Sequence, residues 1–209
     1  MRLYGVPAVR SVLLAQLAVL ADLDEAFKLR LLIPYLARLE ELHYWLETLD
    51  RHLSRSLPTG AMIETPAAAL DIGNWLASSD FVAVGCNDLM QCLFAADRDR
   101  ADVRHYLDPC APLLFRFFRQ MAEAAAGDLQ RVQLCGLLPQ LPGVLPVLLG
   151  LGFRTFSVDA ALLPHLAQTL QEHTMSRMQA LADAVCAAKT SAEVTAITCC
   201  VHPPFLQPD

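Results

Sequence analysis

Phe81-Val82-Ala83-Val84-Gly85-Cys86-Asn87-Asp88-Leu89-Met90-Gln91 is the stretch on which the reading of the fold turns. A short run of β-branched and aromatic residues meets a glycine, then two oxygen-bearing side chains. Apolar residues at helical spacing follow (Leu89, Cys92, Leu93, Ala96). That order predicts a strand, a tight turn and a helix start, with Asn87 or Asp88 capping the helix. Gly85 permits close backbone approach, and Asp88 falls at the carboxyl end of the strand, where α/β folds put their chemistry. A plain βα turn carries the same signature, so the weight rests on its neighbours.

Working outward, the pattern repeats. Residues 1–4 read as the stub of a strand, and Pro7 opens a helix reaching about Leu23. Residues 29–33 read as a strand stopped by Pro34. Residues 38–54 read as a helix with Leu39, Leu42, Leu46, Leu49 and Leu53 on one face. A short buried strand over 61–63 ends at Glu64, and Pro66 opens a helix over 67–76. After the central unit come a charged loop (99–108), a helix (113–126) closed by Gly127, and a strand (132–134) ending at Cys135-Gly136. An apolar helix (142–151), a strand (155–158) ending at Asp159 and three helices (160–171, 176–188, 191–199) complete the order. Short, almost wholly apolar strands alternating with helices predict a parallel sheet buried on both faces. The fold expected is α/β, a partial (β/α)8 TIM-type barrel of about the last five strands plus a stub, with C-terminal helices. Closure needs eight strands. Residues 1–200 form that domain, and the proline-rich end beyond it is expected to fray.

Composition bounds the partners. Apolar residues make up 55% and charged residues 18%, which predicts a surface short of charge that a partner or further chain covers. A net charge of −6 argues against nucleic acid. Seven cysteines without Cys-x-x-Cys spacing argue against a disulfide framework or a zinc site, and fit a reducing cytoplasm. The apolar run 12–21 after Arg10 has signal-peptide character, but Gln16 interrupts it and it fits a βα repeat. No run reaches the roughly 18 apolar residues of a membrane span, so no membrane insertion is expected.

Functional groups stand at successive strand ends: Glu64, Asn87-Asp88, Cys135 and Asp159. Neighbouring strands lie about 4.8 Å apart, so Glu64 and Asp88 can converge on one ion. Two hard oxygen ligands with positions left for water and a phosphate oxygen suit Mg²⁺. The plainer alternative is that each acid caps its own helix. Arg98 can grip a phosphate or carboxylate through its guanidinium, or belong to a solvated charge run. Cys135 can face the mouth as a proton donor, or pack as a small core residue. The histidines show no ligand spacing.

Together these segments resemble the phosphoenolpyruvate-binding C-terminal domain of enzyme I of the bacterial phosphoenolpyruvate:sugar phosphotransferase system. The resemblance lies in residues 60–69 (Gly-Ala-Met-Ile-Glu-Thr-Pro-Ala-Ala-Ala), 85–91, Ala96-Asp97-Arg98, Leu134-Cys135-Gly136, and 148–152 with Phe156-Ser157. It implies that Glu64 and Asp88 hold Mg²⁺, that Asn87 and Arg98 contact the phosphate, and that Cys135 protonates the enolate to give pyruvate. The phosphoryl group would pass to a histidine on another domain or chain. The expected chain is N-terminally truncated relative to that family. It also departs from the family pattern at Leu137 (usually Glu), Cys86 (usually Thr) and residues 138–141.

Two other classes stay open. One is a catalytically inactive remnant or partner-binding protein, in which an incomplete barrel pairs its exposed edges as a homodimer or recruits the missing N-terminal half. The other is a lyase or aldolase of related pyruvate-enolate barrels.

Overall fold

The computed structural model describes residues 6–53 and 56–199, so the expected strand stub at 1–4 and the C-terminal tail lie outside the described residues. Each short apolar segment forms a strand: β1 (Leu31–Leu36), β2 (Thr59–Ile63), β3 (Phe81–Gly85), β4 (Val132–Cys135) and β5 (Thr155–Phe156). The helices are α1 (Pro7–Ala26), α2 (Leu39–His52), α3 (Pro66–Leu70), α4 (Ile72–Ser78), α5 (Cys86–Phe94), α6 (Pro112–Ala124), α7 (Val144–Gly150), α8 (Leu163–Gln171), α9 (Met175–Ala187) and α10 (Ser191–Thr198). All strand pairs are parallel, and the sheet runs β1-β2-β3-β4-β5 in chain order. A doubly wound sheet reverses its order at a switch point; a barrel does not. The fold is therefore mixed α/β, with five parallel strands among the described residues wound as part of an α/β barrel.

Alternation divides the strand side chains between two faces. Ala61, Ile63, Val82, Val84, Val132 and Leu134 turn outward into one continuous core with Trp75, Phe115, Phe118 and Phe153. Phe118 and Phe153 meet edge to face, 5.9 Å between centroids. On the opposite, inner face Leu32 is 41% exposed, whereas Phe81 is buried with the Arg30 guanidinium 3.8 Å above its ring. At the amino end of the sheet the Arg131 guanidinium donates to the carbonyls of Asp80 (3.0 Å), Leu76 (2.7 Å) and Ser79, tying α4, the β3 entry and β4 together.

Several boundaries differ from the sequence reading, each for a local reason. Pro34 does not stop β1; the strand continues to Leu36 with a register shift between Ile33 and Leu36, because proline offers no N–H to the ladder. Tyr35 there adopts a left-handed φ of 52°. The helix expected over 67–76 breaks at Asp71 into α3 and α4. The segment before α7 forms a 3-10 turn at Leu138–Gln140, and β5 is only two residues long. No helix among the described residues is long and apolar enough to cross a membrane.

Candidate functional site

Register builds the site. Ile63 pairs with Val84 and Gly85 with Cys135, so Glu64, Gly85 and Cys135 stand side by side at the carboxyl ends of three neighbouring strands. Glu64 is 5% exposed and lies against Gly85: a β-carbon there would come 2.7 Å from its Cγ. The missing side chain is the space the glutamate occupies. Glu64 Oε2 accepts the backbone N–H of Tyr35 at 2.7 Å.

Asp88 stands in the first turn of α5, near enough for its charge to act on Glu64. Burial raises the Glu64 carboxyl above the ordinary glutamate range; the Tyr35 N–H opposes this, and the Asp88 charge adds to it. Neither carboxylate is spent on a cap. Thr65 caps α3 by accepting the Ala68 N–H at 3.3 Å, and α5 starts directly at Cys86 with no side-chain cap. The capping role read for Asn87 or Asp88 is thus corrected: Gly85 leads straight into helical backbone. Asp88 Oδ1 instead accepts Gln91 Nε2 at 2.8 Å and lies 3.6 Å from Arg98 Nη2. Gln91 Oε1 in turn accepts the Arg98 backbone N–H at 2.9 Å. Gln91 therefore ties the acid to the loop carrying the arginine. Its signal in the sequence is the three-residue helical spacing from Asp88, at which Gln and Asp meet.

Asn87 Oδ1 accepts the Leu137 N–H at 3.0 Å and fills the space a β-carbon on Gly136 would need, 2.8 Å away. Gly136 has φ 103°, so the turn after β4 admits glycine on both counts. The Cys135 thiol is half-buried and donates to the Val84 carbonyl at 3.1 Å. Burial pushes it above the usual thiol range, and the Glu64 and Asp88 charges push further. The Cys86 thiol, fully buried, also approaches the Val84 carbonyl at 3.7 Å.

Asp159 takes no part: its carboxylate caps the 3-10 turn Ala160–Leu162 by accepting the Ala161 N–H at 2.9 Å. Gln140, which the sequence did not single out, donates to the Gly136 carbonyl at 2.7 Å and accepts the Asp159 N–H at 2.8 Å, joining the turns after β4 and β5. Among the described residues no cluster of three or more His, Cys, Asp or Glu side chains is arranged to hold a metal. A cation here would take two carboxylates from the chain and its other ligands from water or substrate. Two acids whose charges act on each other fit such a group, because a divalent ion removes their repulsion.

The chain matches the family described as PEP-utilising enzyme, PEP-binding domain, over residues 5–175. It is 37% identical to the phosphoenolpyruvate-protein phosphotransferase of Streptomyces coelicolor over 64% of this chain and 24% of the relative. It is 30% identical to that of Buchnera aphidicola subsp. Baizongia pistaciae over 88% of this chain, and 32% identical to that of Cupriavidus necator over 82%. The matched parts are 34% and 31% of those two relatives, so the chain spans about a third of their length. With parallel strands wound in barrel order and acids at the strand ends, the chain belongs to the PEP-binding domain family of PEP-utilising enzymes.

Proposed function

We propose that this chain binds phosphoenolpyruvate at the carboxyl ends of β2, β3 and β4, with Mg²⁺ held by Glu64 and Asp88, as the PEP-binding part of a phosphoenolpyruvate-protein phosphotransferase. The observation that carries this reading is the nearness of Glu64, at the end of β2, to Asp88, in the first turn of the helix that follows the adjoining β3. The cation, when bound, neutralises charge on the phosphate and carboxylate of the substrate. Arg98 supplies a guanidinium to the phosphate, and Asn87, its Oδ1 committed to Leu137, offers Nδ2. The phosphoryl group passes to a histidine on another domain or chain, leaving the enolate of pyruvate. The Cys135 thiol gives its proton to C3 of that enolate and becomes a thiolate, which solvent reprotonates. A thiol kept protonated beside two acids suits that role.

Titration calorimetry with phosphoenolpyruvate, with and without Mg²⁺, tests the reading. The expected result is metal-dependent binding that Glu64→Gln abolishes; no metal-dependent heat overturns it. A second reading, binding without turnover, is favoured by Leu137, an apolar residue 44% exposed two positions after Cys135. Homodimerisation, or pairing with a chain that adds strands, is the proposed assembly, supported by the exposed Leu32 on β1. Cys86, Cys92, Cys135, Cys186 and Cys199 are free thiols, in keeping with a cytoplasmic setting. Sedimentation velocity checks the assembly.

A further inference from the structure

Tyr35 holds a backbone conformation that its own side chain does not favour. Its φ of 52° lies in the left-handed region, unusual for a bulky residue. Burial does not explain this, because the residue is 61% exposed. Its contacts do. The β1 register shift takes residue 35 out of the ladder, and its N–H goes instead to Glu64 Oε2 at 2.7 Å. At the other end of the residue, the phenol oxygen lies 3.9 Å from Cys92 Sγ, on α5 one turn beyond Asp88. One residue thus touches both elements that carry the paired acids. Glu64 Oε1 is left on the Gly85 side, 3.1 Å from where a β-carbon would stand.

We propose that Tyr35 is the positioning residue for Glu64 of the acidic pair: its left-handed N–H anchors Oε2 and so leaves Oε1 fixed on the Gly85 side. The site thereby has its glutamate preset by main chain rather than by a second side chain. The anchor stands on geometry alone; its effect on cation binding rests on the function proposed above.

Two measurements test it. Amide hydrogen exchange by NMR reads the anchor directly. The Tyr35 amide is protected in the native chain and exchanges at least tenfold faster in Glu64→Ala, while the β3 amides are unchanged. Equal exchange in the two proteins overturns the proposal. The second measurement uses Mn²⁺ alone, titrated by electron paramagnetic resonance. Replacing tyrosine 35 by its α-hydroxy acid removes only the N–H and weakens Mn²⁺ about tenfold, the usual scale for a group that orients a ligand. Tyr35→Gly keeps the N–H and the left-handed backbone, so it stays within about threefold. A hydroxy-acid protein that binds Mn²⁺ as tightly as the native chain overturns the proposal. A protected amide in a native chain that binds no Mn²⁺ upholds the anchor and removes the cation from the proposed function, so the two failures are distinguishable.

Discussion

The Cys135 thiol rests on the Val84 carbonyl, 3.1 Å across the β3–β4 pair, on the same rim as Glu64. A proton parked on main chain beside two acids is held by burial first and by their negative charge second. Iodoacetamide should therefore modify Cys135 slowly at neutral pH, with a rate still rising above the ordinary thiol range. Glu64→Gln and Asp88→Asn should each move that profile to lower pH and speed modification several-fold. Peptide-resolved mass spectrometry separates Cys135 from the exposed Cys92 and Cys199.

If the same thiol serves C3 of the enolate, it also serves the reverse step. With Mg²⁺ and pyruvate in D₂O, the native chain should exchange pyruvate methyl protons, read by proton NMR. Cys135→Ala should lower that rate by about a hundredfold or more, the scale of a lost general acid–base group. Cys135→Ser should not restore it, because a hydroxyl is a far weaker acid than a thiol.

Glu64 makes the metal-free protein sensitive to pH. Its folded carboxyl titrates above the unfolded value, so the folded state binds the extra proton. The sign follows: this group's contribution to stability is full below the ordinary glutamate range and is lost as pH rises through the raised value. Thermal melts of the metal-free chain should show that loss, and Glu64→Gln should remove it from the profile. Mg²⁺ added at neutral pH should raise the native Tm and leave that of Glu64→Gln unchanged.

Space at Gly85 is as important as charge. In Gly85→Ala the new methyl meets Glu64 Cγ at 2.7 Å and Oε1 at 3.1 Å, so the carboxylate must leave the pocket. The expected cost is about 1–3 kcal/mol of stability, with loss of metal-dependent phosphoenolpyruvate heat. Denaturant unfolding and calorimetry on the same sample check both.

At the far end of the sheet, Arg131→Ala removes the donor from three carbonyls without touching the site. Charge-assisted hydrogen bonds of this kind carry about 2 kcal/mol, and partial exposure of the guanidinium argues for the lower side. Urea unfolding should show that loss, with phosphoenolpyruvate affinity in the folded protein preserved.

Alternation of apolar strands and helices made the winding legible, and the acids at the ends of β2 and β3 stood out because polar groups there interrupt apolar runs. Cap chemistry was misread at Asn87 and Asp88, since side-chain type alone does not tell a cap from a first-turn residue. Pro34 looked like a terminator because a missing N–H argues against a ladder; β1 instead shifts register around it. Tyr35 and Gln140 were invisible for another reason. Their roles come from main-chain N–H groups meeting side-chain oxygens across 29 and 19 residues, and local pattern holds no trace of such pairings.

The cation stacked over Phe81 constrains whatever lies across the sheet's inner face. A guanidinium with one side on an aromatic ring still has donors to satisfy on the other. Any polypeptide seated against that floor must bring a carboxylate, a carbonyl or retained water to Arg30. A purely hydrocarbon plug would strand a charge at a cost of several kcal/mol. The amino end of that face is therefore selective about what may cover it.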